Sequence, residues 1–209
     1  MRHLFCQFSW PVTALFGLSI WLLTACAGGP TAPAAFTASA PNGGLTLSFF
    51  LTANGSPAYT LQRGTTTVLD TSLLGFELKG YGRVGQGMAV ETADVLNVNE
   101  PWTTVWGERK EVANSYQQLT ATLTQAQPQP ITLQVVFRVF DDGLGFRYIF
   151  PEQPNLTEAV ITDELTQFAL TGDHTAWWIP ADYDSYEYLY TESKVTAIDA
   201  SALMEKNVV

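Results

Sequence analysis

Ile131, Leu133, Val135, Phe137 and Val139 alternate with Thr132, Gln134, Val136, Arg138 and Phe140. Successive side chains of a strand point to opposite faces, so this period of two predicts a strand with one wholly apolar face. Asp141-Asp142-Gly143 follows, an Asp-Gly turn signal, and 144–150 returns before Pro151 stops the strand. A lone hairpin is marginal in water, so this one needs a second apolar layer over its buried face.

The rest of the chain offers that layer. Leu45, Leu47, Phe49 and Leu51 alternate with Thr46, Ser48, Phe50 and Thr52, and Asn54-Gly55 then supplies a hairpin turn. Further strands are expected at 58–62, 66–69 and 75–79, with a Gly-rich loop over 80–87. Residues 116–123 alternate again, and 127–130 ends them. In 161–170, Ile161, Leu165 and Phe168 would fit a helix face, but the β-rich surroundings favour a strand. About eight to ten short strands between turn signals, with no long helical period, predict an all-β, antiparallel sandwich. Neither an internal repeat nor a βαβ pattern is visible.

Hydrophobic residues make up 46% of the 209 and charged residues 14%, which supports a packed core rather than disorder. Ten Lys and Arg against 20 Asp and Glu give a net charge of −10, unsuited to a nucleic-acid partner. Only two His occur, His3 and His174, so zinc and His-based catalysis have little support.

The N-terminus reads as a lipoprotein signal peptide over residues 1–25. Arg2 and His3 precede an apolar stretch from Phe8 to Leu23, which is short for a membrane span. Leu23-Thr24-Ala25-Cys26 resembles a bacterial lipobox, in which cleavage precedes the Cys and the Cys carries the lipid. Cys6 would then be discarded, leaving Cys26 without an intrachain disulfide partner. Residues 26–35, small and Pro-rich, read as a flexible tether. Ala27 stands where an inner-membrane retention signal would carry Asp, so the outer membrane is the expected location, on its periplasmic side or at the cell surface.

Two stretches carry candidate chemistry. Trp177-Trp-Ile-Pro-Ala-Asp-Tyr-Asp-Ser-Tyr-Glu-Tyr-Leu-Tyr190 joins aromatic rings to Asp182, Asp184 and Glu187. Aromatic faces can stack on sugars and carboxylates can ligate hard cations, although aromatic packing in a core is the plainer alternative. Asp182-x-Asp184 is not an EF-hand, since Glu187 and Ser193 stand where Gly and Glu are needed. If the run is a strand, Tyr186, Tyr188 and Tyr190 share one face and Glu187 lies on the other, where it must be solvated, paired or bound to an ion. The second stretch is Pro101-Trp-Thr-Thr-Val-Trp-Gly-Glu-Arg-Lys110. Its Trp106, Glu108, Arg109 and Lys110 either line a polar cleft or decorate a strand edge. Asp141-Asp142 is read as turn chemistry rather than as a catalytic pair. No nucleophile elbow, P-loop or Cys-x-x-Cys occurs.

These two stretches, together with Phe137-Arg-Val-Phe-Asp-Asp-Gly-Leu-Gly-Phe-Arg-Tyr148 and Phe150-Pro-Glu152, resemble the N-terminal domain of glycoside hydrolase family 97. The resemblance runs from about residue 36 to the end of the chain. It implies an α-glucosidase or α-galactosidase type of enzyme. Its architecture would be a galactose-mutarotase-like β-supersandwich packed on a catalytic (β/α)₈ barrel, followed by a small C-terminal β-domain. Such a barrel takes about 250 residues. Residues 36–209 read as strands, so the chain is expected to be a fragment, with the sandwich incomplete at its C-terminus. No catalytic residue is expected in it, and the fragment alone is expected to be inactive.

The resemblance further implies that Glu187 is one ligand of a Ca²⁺ held mainly by barrel carboxylates. Trp106, Glu108, Trp178 and Asp184 are the expected substrate contacts, and the rest of the aromatic run is expected to pack. An oligosaccharide substrate, the missing barrel, and the membrane through Cys26 are the expected partners. The alternative is a stand-alone sugar-binding or structural β-sandwich lipoprotein.

Overall fold

A computed structural model describes residues 34–126, 129–180 and 187–199. Its first strands are β1 (Phe36–Ser39), β2 (Leu45–Leu51), β3 (Pro57–Arg63), β4 (Thr66–Leu73), β5 (Phe76–Leu78) and β6 (Gly82–Val84). Then come β7 (Met88–Asn99), β8 (Trp102–Thr103), β9 (Glu111–Val112), β10 (Ser115–Gln125), β11 (Ile131–Val139) and β12 (Leu144–Ile149). The last are β13 (Ile161–Glu164), β14 (Thr175–Trp178) and β15 (Thr191–Lys194), followed by a 3₁₀ turn at Val195–Ala197.

Two four-stranded antiparallel sheets form the sandwich, ordered β1-β2-β3-β4 and β12-β11-β10-β7. The alternation in β11 works as expected: Ile131, Leu133, Val135, Phe137 and Val139 are all buried. Leu119, Ala121 and Leu123 of β10 join them, and Leu47, Phe49, Tyr59 and Leu61 face them from the other sheet. Phe137 is the hub, with ring centroids 5.6 Å from Phe49, 5.8 Å from Tyr59 and 5.5 Å from Phe146. A third sheet, β13-β5-β6, packs on the same core through Phe76, whose ring lies 4.5 Å from Tyr148 and 5.6 Å from Phe150.

Several elements differ from expectation. The longest strand, β7, was not anticipated, because Glu91, Asp94, Asn97 and Asn99 interrupt its apolar residues and only Met88 is buried. The Gly-rich loop contains β6, which returns along β5 through a turn whose Gly80 and Gly82 have φ of +81° and +74°. The expected strand over 161–170 is confined to β13. Beyond it the backbone makes separate bonds, from Leu165 N–H to Gly75 O (2.9 Å) and from Gln167 N–H to Leu73 O (2.8 Å). Asp141 behaves as a turn residue: Phe140 N–H donates to Gly143 O, and the Asp141 carboxylate accepts the N–H of Asn42 at 2.9 Å.

One crossing requires glycine. Gly85 has φ +120°, and a Cβ there would stand 2.7 Å from Leu74 O and 2.9 Å from Gly75 Cα. A Cβ on Gly75 would stand 2.6 Å from Val84 O. The buried Gln125 side chain clamps the crossing, accepting Gly85 N–H and donating to Arg83 O, both at 3.1 Å.

Candidate functional site

The aromatic stretch begins in β14 and ends in β15, a two-stranded ribbon with Trp177 opposite Glu192 and Trp178 opposite Thr191. Side chains reinforce the pairing. Trp177 Nε1–H donates to Glu192 Oε2 at 3.2 Å, and Trp178 Nε1–H to Ser193 Oγ at 2.9 Å. At the open end Asp173 accepts both the N–H and the hydroxyl of Thr196, each at 3.0 Å, and Val195 N–H donates to His174 O. The Thr196 N–H is the main reason that the Asp173 carboxyl is held below the ordinary carboxylate range. No residue of this ribbon belongs to the main core cluster, and Trp177 is 63% exposed.

Glu187 lies on the return limb of this ribbon and is exposed. The strand inferred there from alternating Tyr residues is not formed: 187–190 is outside any strand, and pairing stops at Trp178 and Thr191. Pro180, two residues past Trp178, has no N–H to donate and weakens any continuation of the ladder. Tyr188 is half-buried whereas Tyr190 is exposed, so the two do not share a packed face. Asp182, Asp184 and Tyr186 lie outside the described residues, as does Cys26.

Trp106 and Glu108 belong to a different ribbon, in which β8 pairs with β9 and 104–110 forms the tip. Thr104 N–H donates to Lys110 O at 3.0 Å, and the Thr104 hydroxyl to Arg109 O. Gly107, at φ +133°, makes the bend. Trp106 is 89% exposed and Val105 99%, while Glu108, Arg109 and Lys110 are exposed too. Exposure near that of a free side chain belongs to a projecting turn, not to the wall of a cleft. Within the described residues the polar cleft is therefore not formed, and these side chains are not brought together with Trp178 or Glu187 by any described contact.

Residues 38–207 match the family model described as Glycosyl-hydrolase 97 N-terminal. The chain belongs to that family. Solved structures of a glycoside hydrolase family 97 enzyme from Pseudoalteromonas sp. strain K8, one with panose and one with acarbose, share 35% identity at a TM-score of 0.71. The match covers 76% of this chain and 24% of the enzyme. A crystal structure of a β-arabinopyranosidase, at 24% identity and a TM-score of 0.67, covers 75% of this chain and 26% of its own, and shows the fold alone. The chain thus spans about a quarter of the length of the solved enzymes it matches.

Among its described residues this family 97 N-terminal domain contains no group of three or more His, Cys, Asp or Glu able to hold a metal. Calcium takes about six to eight oxygens, so Glu187 can be one ligand but not a site. One further cluster lies outside those motif roles. Arg138 Nε donates to Gln118 Oε1 at 3.0 Å, and its guanidinium lies 4.7 Å from the Tyr116 ring centroid. The signal was present in the alternation, which puts Arg138 on the outer face of its strand.

Proposed function

We propose that this domain is the N-terminal supporting part of a calcium-dependent α-glycoside hydrolase acting on O-glycosidic bonds. Family membership carries this proposal, and the relatives solved with panose and acarbose support an oligosaccharide substrate. The carboxylates that perform the hydrolysis belong to a catalytic barrel against which this domain packs. What this chain contributes is surface and position. The exposed Trp102, Val105, Trp106, Trp177, Leu189 and Tyr190 offer apolar contact area. Glu187, exposed on the segment that leads into β15, adds one oxygen ligand to a Ca²⁺ held by the barrel. Bound there, the cation would polarise or orient substrate. Trp106, Glu108, Trp178 and Asp184 remain the proposed substrate contacts. Trp178 is the best supported of the four by local geometry, since its ring is fixed by the bond to Ser193.

The same proposal divides the chain into a lipoprotein signal over 1–25, a tether over 26–35 and the domain over 36–209. Lipid on Cys26 would hold the enzyme at the outer membrane. The stand-alone lipoprotein alternative has less support, because the matched enzymes are some four times longer than the aligned stretch.

The test is calcium titration of the full-length enzyme carrying Glu187→Gln. Half-maximal activity should require about tenfold more Ca²⁺ or higher, equivalent to ~1.4 kcal/mol of lost binding. Unchanged calcium dependence would remove Glu187 from the site.

A further inference from the structure

The outer face of the β11–β12 hairpin carries a groove of about 280 Å³, lined by Val136, Arg138, Phe140, Gly145 and Arg147. That is near the lower end of small-ligand pockets, about 300–1,000 Å³, and suits a single sugar unit. The register sets its layout. Gly145 stands opposite Arg138, and Arg147 opposite Val136. The two arginines are therefore diagonal neighbours on one face, positions roughly 7–8 Å apart.

Both arginines border this one groove, Arg138 leaning toward β10 and Arg147 standing on β12, so two positive charges flank the same space. The chain has only 10 Lys and Arg against 20 Asp and Glu, yet among the described residues neither arginine forms an ion pair. Asp141, the nearest acid along the strand, is engaged by the Asn42 N–H. Arg138 is held by neutral groups instead: Gln118 takes its Nε–H, and the Tyr116 ring underlies the guanidinium. Phe140 braces that ring at 5.0 Å. The bond through Nε leaves the terminal amino groups available for a ligand. The space is open as well, since a Cβ on Gly145 would meet nothing within 4 Å. Val136 and Phe140 add an apolar wall beside the two charges.

A fixed guanidinium fork, a second cation and an apolar wall match a planar carboxylate attached to a ring with a C–H face. We propose that this groove binds the uronic acid residue of an acidic glycan, as a site separate from Glu187 and from any metal. The choice of a sugar as carrier of the carboxylate rests on the glycoside hydrolase proposal above; the carboxylate itself is read from the arginines.

The test is calorimetric titration of the full chain with glucuronate, galacturonate and their short oligomers, with glucose and inorganic phosphate as controls. Uronates should bind about tenfold or more tightly than glucose, and both Arg147→Gln and Arg138→Lys should abolish that preference. Arg138→Lys keeps the charge but loses the planar fork, so its failure to bind would mark geometry rather than net charge. Circular dichroism on both variants must match the parent. Glu187→Gln should bind uronates as the parent does, even if its calcium response is lost, which separates this proposal from the preceding one. Equal binding of glucose, equal binding of phosphate, or unchanged uronate binding by Arg147→Gln would each overturn it.

Discussion

At single positions the fold rests on side chains whose replacement has a computable direction. Phe137 touches rings from both sheets, so Phe137→Ala should cost about 3–5 kcal/mol in denaturant unfolding. Gly85→Ala adds a Cβ where backbone already stands at 2.7 Å, and at a φ that L residues avoid. Its loss should exceed the ~1 kcal/mol typical of point mutants, with the Gln125 clamp disrupted alongside. Tyr148 shows a pH effect. Burial is the main cause that raises its phenol well above the ordinary value near 10.0, while the bond to Thr166 works against the shift. A raised acid pKa favours the folded state below the unfolded value, and that advantage disappears as the pH climbs past 10.0. Denaturation midpoints should therefore fall in alkali, and Tyr148→Phe should flatten part of the decline. Tyr59, raised for the same reason of burial, would keep the remainder.

Strands and ribbons differ in how firmly they are held. β10 is paired along its length with β7 and β11 and buries Leu119, Ala121 and Leu123. Among the described residues each strand of the β14–β15 ribbon has one neighbour, and the ribbon sits outside the core cluster. Amide exchange should be fast in β14–β15 and slow in β10, and Asp173→Ala should accelerate the ribbon alone by removing both bonds to Thr196. The same contrast explains what could be read from sequence. β11 was legible because each apolar residue of its alternation is buried and an Asp-Gly turn follows. β7 was hidden because an edge strand needs few apolar residues, and Glu91, Asp94 and Asn97 look like loop chemistry. The Tyr188–Tyr190 spacing misled for the opposite reason. Its alternation is real, but pairing stops at Trp178 and Thr191, so no ladder gives it meaning. Trp106 and Glu108 were legible as unusual, but nothing in their spacing distinguishes a cleft wall from a projecting tip.

The whole domain joins a strongly buried sandwich to two ribbons that carry exposed aromatic residues. Net charge of −10 favours dispersal, whereas Trp102, Val105, Trp106, Trp177 and Tyr190 favour association. Sedimentation of the domain without further chain should show self-association that grows with salt, as the charges are screened, and Trp106→Ser should reduce it. Beneath this lies the geometry of β7. Among the described residues it pairs with β10 alone, so twelve residues present one edge without a ladder partner. Such an edge is a template, and Glu91 and Asp94 are the charges that stand guard on it. Neutralising both while leaving the fold intact should let that edge recruit strands from copies of the domain.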